Sequence, residues 1–228
     1  SEWRGPFLFR TDCVVYPSPF IETFEPTSDT KTCWRIIDGN ANGNTWLLNS
    51  TVNPIFGEMM AGMFTGTNGD NNDWLISPTI TVQPNQRLRF YYKTYSTDFE
   101  EDLKVKISSN GTDITQFTTT IYENNIVIPT GAVGTVSGSN TITMTTTQGV
   151  RIGDRVDIPG WVIPFGSTVT AINGNDITIS GNATVTAPGP LNVTFVHEII
   201  NNTEVREAVI NLTGITAPTN INFGFYVP

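Results

Sequence analysis

Apolar and polar residues alternate along most of this chain with a period of two, not the 3.6 of a helix. The alternation runs through RLRFYYKTYS (87–96), LKVKIS (103–108), TITM (141–144), DITIS (176–180), LNVTFV (191–196), AVINL (208–212) and NINFGFY (220–226). Turn signals separate these runs: NG at 110–111, SGSN at 137–140, NGN at 173–175 and APG at 187–189. Gly and Asn accept the left-handed backbone that tight hairpins need. A short strand with one apolar face must cover that face with a second layer. The pattern therefore predicts an all-β chain folded as a jelly-roll β-sandwich. Within 87–96, Tyr92 is expected to share a face with Phe90, and Tyr91 with Tyr95.

A chain of 228 residues suits one large domain, or one domain carrying a small one. Composition separates the two. From 127 to 198 aromatic and acidic residues thin out and Thr, Val, Ile and Gly dominate. This stretch is expected to be an inserted small β module, since closing a long loop costs only a logarithm of its length. The segments on either side, 117–125 and 200–212, read as one hairpin interrupted by the insert. The expected divisions are 1–12, 13–126, 127–198 and 199–228.

Charge narrows the partners. Net charge is −9 with 12 Lys and Arg, which leaves little to neutralise a phosphate backbone or an anionic bilayer, so no nucleic-acid partner and no membrane insertion are expected. A single His, His197, and two Cys remove most of the material for a zinc cluster or a nucleophilic triad. His197 lies in a strand-like run and is expected to be an exposed strand residue without chemistry.

Three groups of residues remain as candidates. Cys13 and Cys33 are expected to form a disulfide and so to place the chain in an oxidising compartment, the alternative being two buried thiols. The run Asp38-Gly39-Asn40-Ala41-Asn42-Gly43-Asn44 sets side-chain oxygens at alternate positions among glycines. Such a loop can wrap a hard cation such as Ca²⁺, or it can be an Asn/Gly turn that binds nothing. Tyr91, Tyr95 and Trp161 are candidates for stacking on sugars if their rings face solvent. Asp98 and Glu100 resemble a carboxylate pair, but consecutive acids more often mark a solvated loop, and Asp73 before Trp74 is expected to hydrogen-bond backbone. The Asn-x-Ser/Thr triplets recur as often as an Asn- and Thr-rich chain produces them.

Several stretches carry a family resemblance: FIETFEP (20–26), CWRIIDGNANGNTW (33–46), NDWLISPTITV (72–82), LRFYYKTYS (88–96) and VINLTGITAPTNINFGFY (209–226). In this order they resemble the cleaved-adhesin, or choice-of-anchor J, type of jelly roll, related in outline to MAM domains and found in surface proteins of Bacteroidota. The resemblance implies a Ca²⁺ site at Glu25, Asp38, Asn40 and Asn42. It also implies a terminal strand with an acidic pair beyond NFGFYVP. SEWRGPFLFRT (1–11) resembles the last strand of a fibronectin type III domain. GDRVDIPGWVIPFGSTVTAINGNDITIS (153–180) resembles small β modules of phage tails and bacterial surface proteins.

The expected function is that of a non-catalytic extracellular module of a large cell-surface or secreted adhesin, serving adhesion or spacing. Its partners would be other domains of the same polypeptide, and surface glycans or host and substratum proteins. Two alternatives come from other classes: a carbohydrate-binding accessory module of a secreted hydrolase, and a phage fibre or capsid-decoration protein.

Overall fold

The computed structural model describes residues 13–64, 71–95, 101–197 and 204–228. Its first strands are β1 (Tyr16–Pro17), β2 (Arg35–Asp38), β3 (Trp46–Ser50), β4 (Met60–Met63), β5 (Asp73–Ile76), β6 (Ile80–Val82), β7 (Arg87–Tyr92), β8 (Lys104–Ser108) and β9 (Thr119–Glu123). Then come β10 (Asn125–Thr135), β11 (Thr141–Thr143), β12 (Arg155–Asp157), β13 (Val169–Asn173), β14 (Asp176–Ile179) and β15 (Ala187–Val196). The last are β16 (Arg206–Asn211) and β17 (Thr219–Val227). Among the described residues the fold is all-β, with 3-10 turns only at Lys31–Cys33 and Ile114–Gln116. They divide into two units. One comprises the chain up to Tyr92 with Val105–Ile121 and Arg206–Pro228; the other comprises Lys93–Lys104 and Tyr122–Val205.

In the first unit β1, β6, β17, β5 and β2 lie side by side in that order, and β8 joins β17 and β9. The nine-residue β17 holds this sheet together, pairing antiparallel with β6 through Ile221↔Ile80 and with β5 through Tyr226↔Trp74. All four residues of β5 are buried, as in a strand covered on both faces. A separate antiparallel pair, β7 with β16, sets Phe90 opposite Ala208 and Tyr91 opposite Glu207. Burial alternates along β7, with Leu88, Phe90 and Tyr92 on the more buried side. Phe90 meets Phe225 of β17 edge-on at 5.2 Å, and Leu88 packs on the cluster of Ile80, Val82, Leu212, Ile221 and Phe223. Leu88, Phe90 and Phe225 are partly buried, and each contributes less than the full-burial value of about 1.5–3 kcal/mol; together their contacts bind the two layers into a sandwich.

One expectation fails here. Among the described residues no hairpin joins 117–125 to 200–212, because β9 pairs with β8 and β16 pairs with β7. The apolar positions decide this: Ile121 of β9 packs on the cluster at Ile80 and Phe223, while β16 matches β7 residue for residue from Arg206↔Tyr92 to Asn211↔Arg87. β7 stops at Tyr92, so strand alternation extends to Tyr91 but not to Tyr95.

The second unit has two three-stranded sheets, β10-β15-β12 and β11-β14-β13. Their inward residues make one core that includes Ile142, Met144, Val156, Ile177, Val193 and Phe195, with Phe195 fully buried. Composition sets this module at 127–198; the contacts draw the unit as Tyr122–Val205 and add Lys93–Lys104. The fibronectin-like strand over 1–12 and the acids Asp98 and Glu100 lie outside the described residues.

Cys13 and Cys33 are bonded across 20 positions of sequence. In the chain-entropy model a loop of that length is worth about 3 kcal/mol. The mass of the unreduced chain should therefore fall two hydrogens short of the free-thiol value, and reduction should lower Tm; a full-thiol mass would contradict the pairing. Phe195→Ala should cost about 3–5 kcal/mol, read from chemical denaturation.

Candidate cation site and exposed aromatic surfaces

The loop after β2 is shaped by its own side chains. The Asp38 carboxylate accepts from the amides of Asn42 (3.2 Å) and Gly43 (2.8 Å), and Asn42 Oδ1 accepts from the amide of Asn44 (2.8 Å). Asn40 Oδ1 takes a second bond from the Asn42 amide at 3.3 Å. Asp38, Asn40 and Asn42 thus share one turn, and their oxygens cap its backbone. Glu25 sits elsewhere, with both carboxylate oxygens 3.1 Å from the Glu58 amide. Gly57 has φ +63, a left-handed backbone that favours glycine, and a Cβ there would also press on Glu25 Oε1. Glu22 organises the neighbouring loop in the same way. Its carboxylate accepts from the amides of Thr23 and Phe24, the hydroxyls of Ser28 and Thr30, and Trp34 Nε1. Sequence reasoning missed Glu22, although Glu22 precedes a Thr and Ser run that supplies its donors.

Asp73 departs from this pattern. It is fully buried, and neither carboxylate oxygen makes a hydrogen bond of normal geometry, the Thr45 hydroxyl being its polar neighbour. The expectation that it would bond backbone fails. It stands directly opposite Asp38 in the β2–β5 register, and opposed residues project to the same face of a sheet. Burial pushes its carboxyl pKa up; the Thr45 hydroxyl draws it back and the Asp38 charge adds to the rise. Asn71 Oδ1 is also buried without a partner, and Thr45 Oγ1 has none besides the Asp73 carboxylate beside it. The 38–44 loop closes over this stretch through the Gly39 amide on Asn72 O (2.9 Å) and Asn40 Nδ2 on Asn71 O (2.6 Å). Gly39 is tight against Asn72, where a Cβ would come within 2.5 Å of the carbonyl oxygen.

Leaving an ionised carboxylate dry and unpaired is costly. The donors here are all oxygens, the set that a hard cation such as Ca²⁺ prefers, so the residues present fit the ion. Among the described residues no group of three or more His, Cys, Asp or Glu gathers into a metal site; the donors at Asp73 are instead two carboxylates with amide and hydroxyl oxygens.

The aromatic candidates separate. Tyr91 lies on the outer face of β7, 38% exposed. Phe56 packs edge-on to its ring at 5.1 Å, Arg89 Nη2 donates to its hydroxyl at 2.7 Å, and Arg89 Nε pairs with Glu207 at 3.0 Å. Tyr95 is exposed and belongs to the second unit, as does Trp161. Trp46, half-buried, turns its indole N–H to Asp73 O at 3.4 Å.

His197 is not the exposed strand residue expected. Its side chain is 3% exposed, with Nδ1 2.8 Å from Asp154 Oδ1, and Asp154 is equally buried. Its amide donates to Asn124 O just past the end of β15, and that turns the ring inward. Glu101 is half-buried, and burial first, then the neighbouring Asp102 charge, raise its carboxyl pKa.

Among solved structures, similarity extends to three cleaved adhesin domains of Lys-gingipain. The K1 domain, from Porphyromonas gingivalis, is 17% identical with a TM-score of 0.36, over 91% of this chain and 95% of that one. The K3 domain, from the same organism, gives 16% and 0.32 over 85% and 89%, and the K2 domain 17% and 0.39 over 90% and 98%. No curated protein matches the chain. A family model, the cleaved adhesin domain, matches residues 19–186. That match spans most of the 228 residues, and the chain belongs to the cleaved adhesin domain family.

Proposed function

We propose that the chain is a non-catalytic extracellular module of a large multidomain adhesin, stiffened by its disulfide and by a bound Ca²⁺. Family membership over residues 19–186 is the observation that supports this most. The disulfide fits an oxidising, extracellular setting. The imidazole of His197 is enclosed against Asp154 in the second unit, a poor place for a base that must reach a substrate. In this reading the second unit, with a core of its own, is a module inserted at about 127–198. Residues 1–12 would close a preceding fibronectin type III-like domain, and other domains of the same polypeptide are the immediate partners. Tyr91 and Tyr95 are the proposed contact residues for surface glycans or host and substratum proteins.

Asp73 and Asp38 would hold the cation, with Asn71 and Thr45 supplying neutral oxygens. Asn40 closes the loop over them. Ca²⁺ would supply the positive charge that buried Asp73 and half-buried Asp38 lack. Glu25 and Asn42, the other residues that the family resemblance points to, are engaged in turns, as is Asp38 through the Asn42 and Gly43 amides; of the three, Asp38 is the one that stands opposite Asp73 in the sheet register.

Two experiments test the reading. An antibody against the chain should label intact source cells, and labelling only after permeabilisation would contradict an extracellular module. Ca²⁺ at about a hundred times its Kd should raise Tm by about 5–10 °C over chelator, and an unchanged melt would remove the metal. Asp73→Asn should abolish that increment. In chelator the same substitution should stabilise the chain by about 1–3 kcal/mol, because it no longer buries an unpaired carboxylate.

A further inference from the structure

The loop between β12 and β13 contains the sequence Ile-Pro-Gly-Trp-Val-Ile-Pro-Phe-Gly-Ser, residues 158–167. Val162 and Ile163 at its centre are 5% exposed and anchor it in the core of the second unit. On either side of that anchor an aromatic ring faces solvent: Trp161 is 81% exposed and Phe165 78%. The backbone at Trp161 has φ +58, a left-handed conformation that suits glycine and strains a side chain. Among the described residues the indole makes no hydrogen bond or ring contact that would return that strain as folding stability.

The turn is held firmly all the same. Thr184 Oγ1 donates to the carbonyls of Trp161 (2.5 Å) and Val162 (3.1 Å), and the Thr184 amide donates to Val162 O at 2.9 Å. Ser167 closes the other end through its hydroxyl and amide on Pro164 O. Phe165 lies on the Arg155 guanidinium, 5.7 Å from the ring centroid, and Arg155 forks onto Asp157 at 3.0 and 2.6 Å. Strain at an exposed residue, kept in place by surrounding bonds, is the signature of a position held for something other than folding.

We propose that this turn is a sugar-binding platform, on which Trp161 and Phe165 stack against the apolar faces of a neutral saccharide. The chemistry around the rings selects that ligand. Between 127 and 196 the charged residues are Arg151, Asp154, Arg155, Asp157 and Asp176, and the Arg155–Asp157 pair beside the platform cancels. Apart from that pair, the neighbouring residues are neutral: Asn182 is exposed between Gly181, which lies against Pro164, and Thr184, which holds Trp161. Exposed aromatic rings on a turn whose backbone is held by hydrogen bonds, with neutral amide and hydroxyl groups close in the chain, match a polyol that is apolar on its faces and polar at its rim. Such a platform suits any secreted context, so its failure would leave the module reading standing, and loss of that reading would leave the platform testable.

The full chain is applied to a printed array of neutral and acidic oligosaccharides, and a bound saccharide is titrated by calorimetry against Trp161→Gly and Phe165→Ala. The expected result is binding to neutral saccharides that each substitution weakens by about tenfold, or 1.4 kcal/mol. Trp161→Gly should keep or raise Tm, because it relieves the left-handed strain. The proposal is overturned by an array on which nothing binds, by binding confined to acidic saccharides, or by affinity unchanged in either variant. A marked fall in Tm for Trp161→Gly would also overturn it, since the indole would then be supporting the fold.

Discussion

Every layer of this protein depends on one constraint: a strand with a single apolar face cannot stand in water alone. β7 shows it most simply. Leu88, Phe90 and Tyr92 turn toward the larger sheet while Arg87, Arg89 and Tyr91 turn out, and the contact of Phe90 with Phe225 joins the layers. β5 and β17 answer the same constraint differently. Both faces of β5 are covered, so it carries Trp74, Leu75 and Ile76 in succession without alternation. The second unit repeats the solution on a smaller scale, with two three-stranded sheets around Phe195 and Ile177.

Between strands the chain is long and poor in regular structure, and carboxylates do much of the ordering. Glu22 gathers amide, hydroxyl and indole donors, Glu25 fixes the Gly57–Glu58 turn, Asp38 caps the 38–44 loop and Asp113 caps the 3-10 turn at Ile114. The bonds from Thr115 lower the Asp113 pKa, as expected of a carboxylate satisfied by donors. Asp73 has the opposite environment, dry and beside a like charge. A polar group left in that state is worth more attention than any number of satisfied ones, because its neighbours have been arranged without completing it.

The exposed rings differ in the same sense. Tyr91 has neighbours: Phe56, Arg89 and, through Arg89, Glu207. Its exposure is the ordinary outer face of a strand. Trp161 has none of these, and its backbone conformation costs about 1 kcal/mol or more relative to glycine. The difference lies in what each position costs the fold.

The all-β class, the inward face of β7 and the turns at 137–138 and 174–175 follow from period and from Gly and Asn placement, since both depend on neighbours along the chain; the turn expected at 187–189 does not form, because Ala187 and Pro188 pair with Thr135 and Gly134 as the start of β15. The pairing of Cys13 with Cys33 needed only an even count and a plausible compartment. Family membership was legible from a handful of strings in order. Which strands pair was not: 117–125 and 200–212 alternate well enough to suit each other, and only the core at Ile80 and Phe223 assigns β9 to β8 and leaves β16 to β7. The burial of His197 against Asp154, the unsatisfied carboxylate of Asp73 and the strain at Trp161 depend on atoms distant in sequence or on a backbone angle. Alternation tells a residue which side it faces; only the packed structure decides what stands on that side.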